Sequence, residues 1–396
     1  MGMHTTPWPV RRLVRTYYLF SFFGDFALVY PVYAILFREQ GLDYGQISLL
    51  FAIWSGAVLL VEIPSGILAD RWSRKWSLVT GMMFKAAGFL VWLVRPDFAG
   101  FAVGFVLWGL QEALCSGTTE AFLYDALAQH SASQRFVRTA GRGSAMGRAG
   151  IILSLLLGAW TYSRLPTLVL VISAIAMLVA GLCAASFPDV RAVRGKAPHQ
   201  GLVAQIREAA LVPGLLVLVV FGSLAAAVYG VLDEYDSLLA RDFGVPLALI
   251  GVWGTIRFGM EALGAELSEK ITRRLTLDRL RRHAVWLLVA AVALFLSVYR
   301  LRAAVLPLYF IFYFMLSSSE VIMQGWIHTR IASEGRATIG SVVSFVYEAL
   351  GLLILLSAVP AATAGGLRAV FIGGAALSGL SAVALFVAAS RTGDAA

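Results

Sequence analysis

Six ionisable residues stand inside long apolar runs: Asp25, Lys85, Glu112, Arg257, Glu320 and Glu348. A charge at the centre of a lipid bilayer costs about 2.5–3.5 kcal/mol on insertion scales, so such residues face a cavity or one another. Four are acids and two are bases. An acid-rich path suits a cationic or zwitterionic ligand. It equally suits protons as a coupling ion, because burial disfavours the charged form of a carboxyl group. Asp25 is the first candidate for a proton-coupling acid and Glu112 the second. Arg257 and Glu261 are spaced i, i+4, so an internal pair would lower the cost of both. Lys85 calls for a structural pairing with a neighbouring acid. Asp233, Glu234 and Asp236 form an acidic cluster toward one end of their run, with Asp233 and Asp236 on one face with Tyr229. That cluster reads as a gate or cation lure, or as the end of a span left in water.

The elements that position these residues follow from composition. The chain has 396 residues, 59% hydrophobic and 14% charged, against about 25% charged in soluble proteins. With a mean hydropathy of +0.79 this excludes a soluble enzyme and a disordered regulator. A bilayer core about 30 Å thick needs about 20 apolar residues per helix. Twelve such stretches run roughly 13–37, 47–68, 76–95, 100–125, 143–163, 167–187, 212–240, 247–268, 283–300, 304–330, 338–359 and 368–390. The first is expected to stay in the protein: it is long, holds Asp25 and is followed by no small-residue cleavage site.

Basic residues set the orientation. With the N-terminus cytoplasmic, the inner segments hold 23 of the 32 Lys and Arg residues, the outer segments seven, and Lys85 and Arg257 lie within spans. Both termini are therefore expected inside. The net charge of +9 is topology, and no nucleic-acid partner is expected. The spans predict an all-α integral membrane fold of two pseudo-symmetric six-helix bundles around a central cavity. The boundaries are 1–187 for the N-terminal half, 188–211 for a cytoplasmic linker with Pro188 and Pro198, and 212–396 for the C-terminal half.

An internal repeat supports the halves. The segment Glu62 to Lys75 aligns without gaps on Glu261 to Arg274, at an offset of 199 residues. Glu62 meets Glu261, Asp70 and Arg71 meet Glu269 and Lys270, and Arg74 and Lys75 meet Arg273 and Arg274. Duplicated halves are a transporter design. Here the sequence resembles the major facilitator superfamily, over the whole chain. Its most specific part is GILADRWSRKWSL at 66–78, similar to the family's loop 2–3 signature G-x-L-A-D-R-x-G-R-K-x-x-L. Gly66, Leu68, Ala69, Asp70, Arg71, Arg74, Lys75 and Leu78 match, and Ser73 replaces the second glycine.

The resemblance implies that Gly66, Asp70, Arg71, Arg74 and Lys75 form a latch holding one gating state, with Asp125 as a partner for Arg74. It implies a second copy at Glu269, Lys270, Arg273 and Arg274. It also implies that spans one, four, seven, eight, ten and eleven line the cavity, where all the buried ionisable residues except Lys85 fall. Two other family signatures are missing. Span four carries no arginine of the proton-linked kind, and span five has Gly143, Gly147, Gly150 and Gly158 but no Gly-Pro pair. Gly143 and Gly147 at GxxxG spacing read as helix packing.

The expected function is secondary active transport of a small organic molecule by alternating access, as proton-coupled efflux of a cationic, zwitterionic or amphipathic compound. Uptake by symport or facilitated diffusion is the alternative. A non-transporting sensor on the same fold, or a membrane-embedded enzyme, is the reading from another class. The five histidines are scattered, with no HExxH, GxSxG or Walker loop. Cys115 and Cys183 give no CxxC. No enzyme activity, metal or cofactor is expected, beyond protons as coupling ions. The expected partners are the lipid bilayer and a small-molecule substrate, with a functional monomer. Arg outnumbers Lys 28 to 4, which suits a GC-rich bacterial genome and hence a bacterial cell membrane.

Overall fold

The computed structural model describes residues 10–71, 73–190, 215–274, 279–300, 303–329 and 336–392. The helices are α1 Val10–Asp25, α2 Tyr33–Glu39, α3 Tyr44–Arg71, α4 Arg74–Val94, α5 Phe98–Cys115, α6 Thr118–Gln129, α7 Phe136–Tyr162 and α8 Pro166–Ala185. They continue as α9 Leu215–Glu234, α10 Asp236–Asp242, α11 Ile250–Arg274, α12 Arg279–Arg300, α13 Leu306–Thr329 and α14 Arg336–Thr392. Among the described residues nine helices are long and apolar enough to cross a membrane, or ten with the bent pair formed by α9 and α10. The α14 stretch breaks at Gly366, whose φ of 66° needs no Cβ to be accommodated, and so covers the last two predicted spans. The predicted span one is covered by α1 and α2.

Lipid shapes the helix faces. On α12, Val285, Leu288, Val289, Val292, Leu296 and Tyr299 are exposed, while Ala284, Leu287, Ala291, Leu294 and Val298 are buried. The i, i+3, i+4, i+7 spacing of the exposed set makes one apolar stripe with no aqueous role, as a lipid-facing helix requires. The chain divides into two compact units. One comprises Met1–Leu42, Ile53–Lys196 and Pro246–Val252, and the other Asp43–Ala52, Ala197–Val245 and Trp253–Ala396. In the first, α4 packs on α5 and α8, and α1 on α7 and α8. In the second, α14 packs on α9 and α12, and α13 on both of those. From residue 191 onward the predicted linker lies outside the described residues.

Three spans expected to be continuous are broken. Span one stops at Asp25 and resumes at Tyr33. Pro31 has no N–H to give a helix, and the freed N–H groups of Ala27 and Val29 donate to Ser154 Oγ at 2.8 Å and Ser173 Oγ at 3.1 Å. Those serines sit on α7 and α8 and make the break tolerable in lipid. Span four breaks at Ser116 and Gly117, where Gly117 has φ 64°. Span seven bends by 58° at Tyr235. Apolar periodicity cannot register such breaks, because the residues on both sides remain apolar.

Candidate functional site

The small-residue stripe of α7 positions Asp25. A Cβ added at Gly143, Gly147, Gly150 or Gly158 would meet Tyr17, the Asp25 carboxylate, the Phe22 carbonyl oxygen or the Leu28 carbonyl oxygen respectively. The glycines let α7 lie directly on span one, as expected for packing. Asp25 ends α1 at an exposed position beside this stripe.

Lys85 on α4 is 5% exposed. Its Nζ donates to Tyr30 Oη at 2.8 Å and stands 4.5 Å from the Trp108 ring centroid and 5.2 Å from that of Tyr30. Asp25 and Glu112 lie within electrostatic range of it. The ammonium is thus held by a hydroxyl and two aromatic faces in addition to the acids the sequence pointed to. Tyr30 and Trp108 were not marked by the sequence, because aromatic residues crowd the spans without a distinguishing pattern. Phe105 stacks on Trp108, and Trp54, Phe89 and Trp92 pack around it in tilted or edge-on contacts.

The second unit is built differently. Arg257 on α11 is 3% exposed and forms ion pairs with Asp233, Asp236 and Glu261. Its Nη1 donates to Glu261 Oε1 at 2.5 Å, and its Nε lies 3.2 Å from Asp236 Oδ2 without hydrogen-bond geometry. Asp236 also accepts from Trp253 Nε1 at 2.7 Å and from the Tyr309 hydroxyl. Tyr229 Oη donates to Glu261 Oε2 at 2.7 Å, and the guanidinium sits 4.9 Å from the Tyr313 ring. The expected pair of Arg257 with Glu261 is present. The readings of Asp233 and Asp236 as a free cation lure or as the wet end of a span need correction: both pair with Arg257. Glu234, between them, is half-buried. Trp253 lies 199 residues after Trp54, the offset of the repeat, and that signal marks its place in the network. Tyr309 and Tyr313 had no such signal.

Glu320 lines a cavity of about 210 Å³ between α9, α13 and α14. Its Oε1 accepts from Gln324 Nε2 at 3.2 Å. Glu348 is half-buried on α14. Of the loop 2–3 motif, Arg74 pairs with Asp125 and also donates to the Ala121 carbonyl at 2.8 Å. Lys75 lies 5.7 Å from the Trp76 ring. Ser73 precedes α4 in extended conformation, φ −168°, so no glycine is needed there. The surroundings of Gly66 and the side chains of Asp70 and Arg71 lie outside the described residues, as do the side chains of Arg273 and Arg274. Glu269 and Lys270 are exposed at the end of α11. Among the described residues no group of His, Cys, Asp and Glu could hold a metal.

The sequence matches the Major Facilitator Superfamily over residues 17–355. An uncharacterized MFS-type transporter, YxaM, of Bacillus subtilis (strain 168) is 30% identical over 96 residues, 24% of this chain. The match spans 23%, about a quarter, of that relative's own length. Among solved structures, the nucleoside transporter NupG superposes with a TM-score of 0.74 at 13% identity, covering 96% of this chain and 98% of that one. A bacterial homolog of the human lysosomal transporter Spinster, inward-facing and occupied, gives 0.72 at 17% identity over 97% of each chain. The POT family transporter PepTSo gives 0.70 at 12% identity, over 97% of this chain and 98% of its own. At these identities the likeness is one of fold.

Proposed function

Because the chain belongs to the Major Facilitator Superfamily, and is a multi-pass membrane transporter rather than an enzyme, we propose that it is a secondary active carrier. It moves a small organic molecule by alternating access, as proton-coupled efflux of a cationic, zwitterionic or amphipathic compound. The observation that supports this reading is the excess of carboxylates over cations among the ionisable residues inside the spans. Asp25 and Glu112 lie near Lys85, three acids surround Arg257, and Glu320 faces a cavity. Such an excess favours ligands and coupling ions that bring positive charge.

Asp25 is the proton-exchanging acid in this proposal. It ends a broken helix and has Lys85 within electrostatic range. The pair of Arg74 with Asp125 supports a latch at the loop 2–3 motif, with Asp70 and Arg71 completing it. The carrier works as a monomer in a bacterial cell membrane with both termini cytoplasmic. The test is a panel of radiolabelled cationic, zwitterionic and neutral compounds on purified protein in proteoliposomes, with an imposed pH gradient of each sign. Gradient-dependent flux of cationic compounds against the proton flow is expected. Flux with the proton flow would replace efflux by symport, and binding without flux to any compound would replace the carrier by a sensor.

A further inference from the structure

The cavity between α9, α13 and α14 holds a carboxylate that the fold itself does not use. Ser223 lines it from α9, Glu320, Met323 and Gln324 from α13, and Ser344 and Tyr347 from α14. Among the described residues Glu320 has no basic side chain within ion-pair distance, and its one hydrogen bond comes from Gln324. The other acids of this unit described in detail above, Asp233, Asp236 and Glu261, all reach Arg257. Among the described residues no basic side chain lines the cavity. Its floor is firm, because Met323 packs in an apolar cluster with Leu215, Leu218, Val219 and Ile327. The Ser223 hydroxyl is turned to the Val343 carbonyl, at 3.4 Å.

These features select a ligand by charge and size. A carboxylate among apolar helices gains most from a ligand that brings its missing counter-charge. An anion would meet Glu320 with nothing to neutralise it. A neutral ligand would leave the carboxylate without a counter-ion. The aromatic face of Tyr347 and the thioether of Met323 suit the polarised methylene or methyl groups beside a cationic nitrogen. The volume is below the roughly 300–1,000 Å³ of sites for drug-sized molecules. It fits a headgroup with one ring or a short chain.

We infer that this cavity is the subsite for the cationic nitrogen of an organic ammonium compound bearing one small apolar group, with Glu320 as its counter-ion. The inference rests on the transport reading and narrows its substrate class. Calorimetry on the full chain in detergent, without any gradient, tests it with three ligands that share one ring: benzyltrimethylammonium, phenylacetate and benzyl alcohol. The cation is expected to bind at least tenfold tighter than the other two. Glu320→Gln is expected to lower its affinity at least tenfold and to leave benzyl alcohol unchanged. Glu320→Asp should keep the cation preference, and Ala226→Leu, which fills the cavity, should abolish binding of all three. Absence of cation binding to the wild type, equal binding of phenylacetate or benzyl alcohol, or unchanged affinity in the Gln and Leu variants would overturn the inference. If Glu320→Gln does not fold, the Asp and Leu variants still decide. Cation binding with no flux in proteoliposomes would sink the carrier and spare the subsite. Flux of panel compounds untouched by Ala226→Leu would do the reverse.

Discussion

Among the described residues each unit buries one cation in apolar helices, and the two solve the problem differently. Arg257 is paired with three carboxylates, and two of them, Glu261 and Asp236, are tied in turn to Tyr229, Trp253 and Tyr309. Lys85 is held by one hydroxyl and two aromatic faces, with Asp25 in its field at an exposed position. A network whose central members share several partners resists change, since moving one group strands the others. A cation held by soft contacts beside an accessible acid leaves that acid free to exchange its proton. On the proposed carrier reading, the contrast suits the Arg257 cluster to bracing the bend in span seven and the Lys85 cluster to proton exchange.

The largest effect should come from Arg257→Met. It leaves three acids without their counter-ion, and breaking a buried pair by removing one partner costs about 3–5 kcal/mol. Thermal unfolding in detergent should show a large fall in Tm, or loss of folded protein. Lys85→Met removes a hydrogen bond and two ring contacts, and should cost about 1–3 kcal/mol. Equal falls in Tm for the two variants would erase the proposed difference between the units.

Glycine substitutions sharpen the comparison next. At Gly150 an added Cβ lands 2.5 Å from the Phe22 carbonyl oxygen, whereas at Gly259 on α11 it meets nothing within 4 Å. Gly150→Ala should cost about 1–3 kcal/mol by overpacking α7 against span one. Gly259→Ala should be neutral or slightly stabilising. Matching Tm values would show that the α7 stripe does not set the position of Asp25.

The smallest effect lies outside the spans. Asp97 caps α5 by accepting from the Gly100 N–H at 2.8 Å, and it also accepts from Arg95 Nε at 3.0 Å. The Gly100 N–H and the Arg95 guanidinium hold its carboxyl below the usual range. Its stabilisation is present above the unfolded value of about 4 and is lost as pH falls through the lower folded value. Tm measured against pH in wild type and Asp97→Ala should converge at the acid end. Parallel curves would remove the cap from the account.

The all-helical, multi-span membrane fold was legible in the sequence because lipid demands length and apolarity, and both can be counted. The loop 2–3 motif was legible because its charges keep a fixed spacing, and Arg74 does meet Asp125. The i, i+4 pair of Arg257 with Glu261 followed from helix geometry alone. What could not be read were contacts that depend on breaks. Asp233 and Asp236 pair with Arg257 from either side of the bend at Tyr235. Ala27 and Val29 find Ser154 and Ser173 more than a hundred residues away. Hydroxyl and indole partners such as Tyr30, Trp108 and Tyr309 are silent in a chain with 13 Tyr and 10 Trp residues.

The division of labour between the two clusters is tested most directly by flux. Asp25→Asn and Asp233→Asn are reconstituted separately, and the best-transported compound of the panel is followed with and without a pH gradient. Asp25→Asn should abolish gradient-driven accumulation while keeping substrate exchange at equal pH. Asp233→Asn should lower Tm and keep the response to the gradient. Normal gradient-driven flux in Asp25→Asn, with its loss in a folded Asp233→Asn, would contradict the assignment and move proton exchange to the Arg257 cluster.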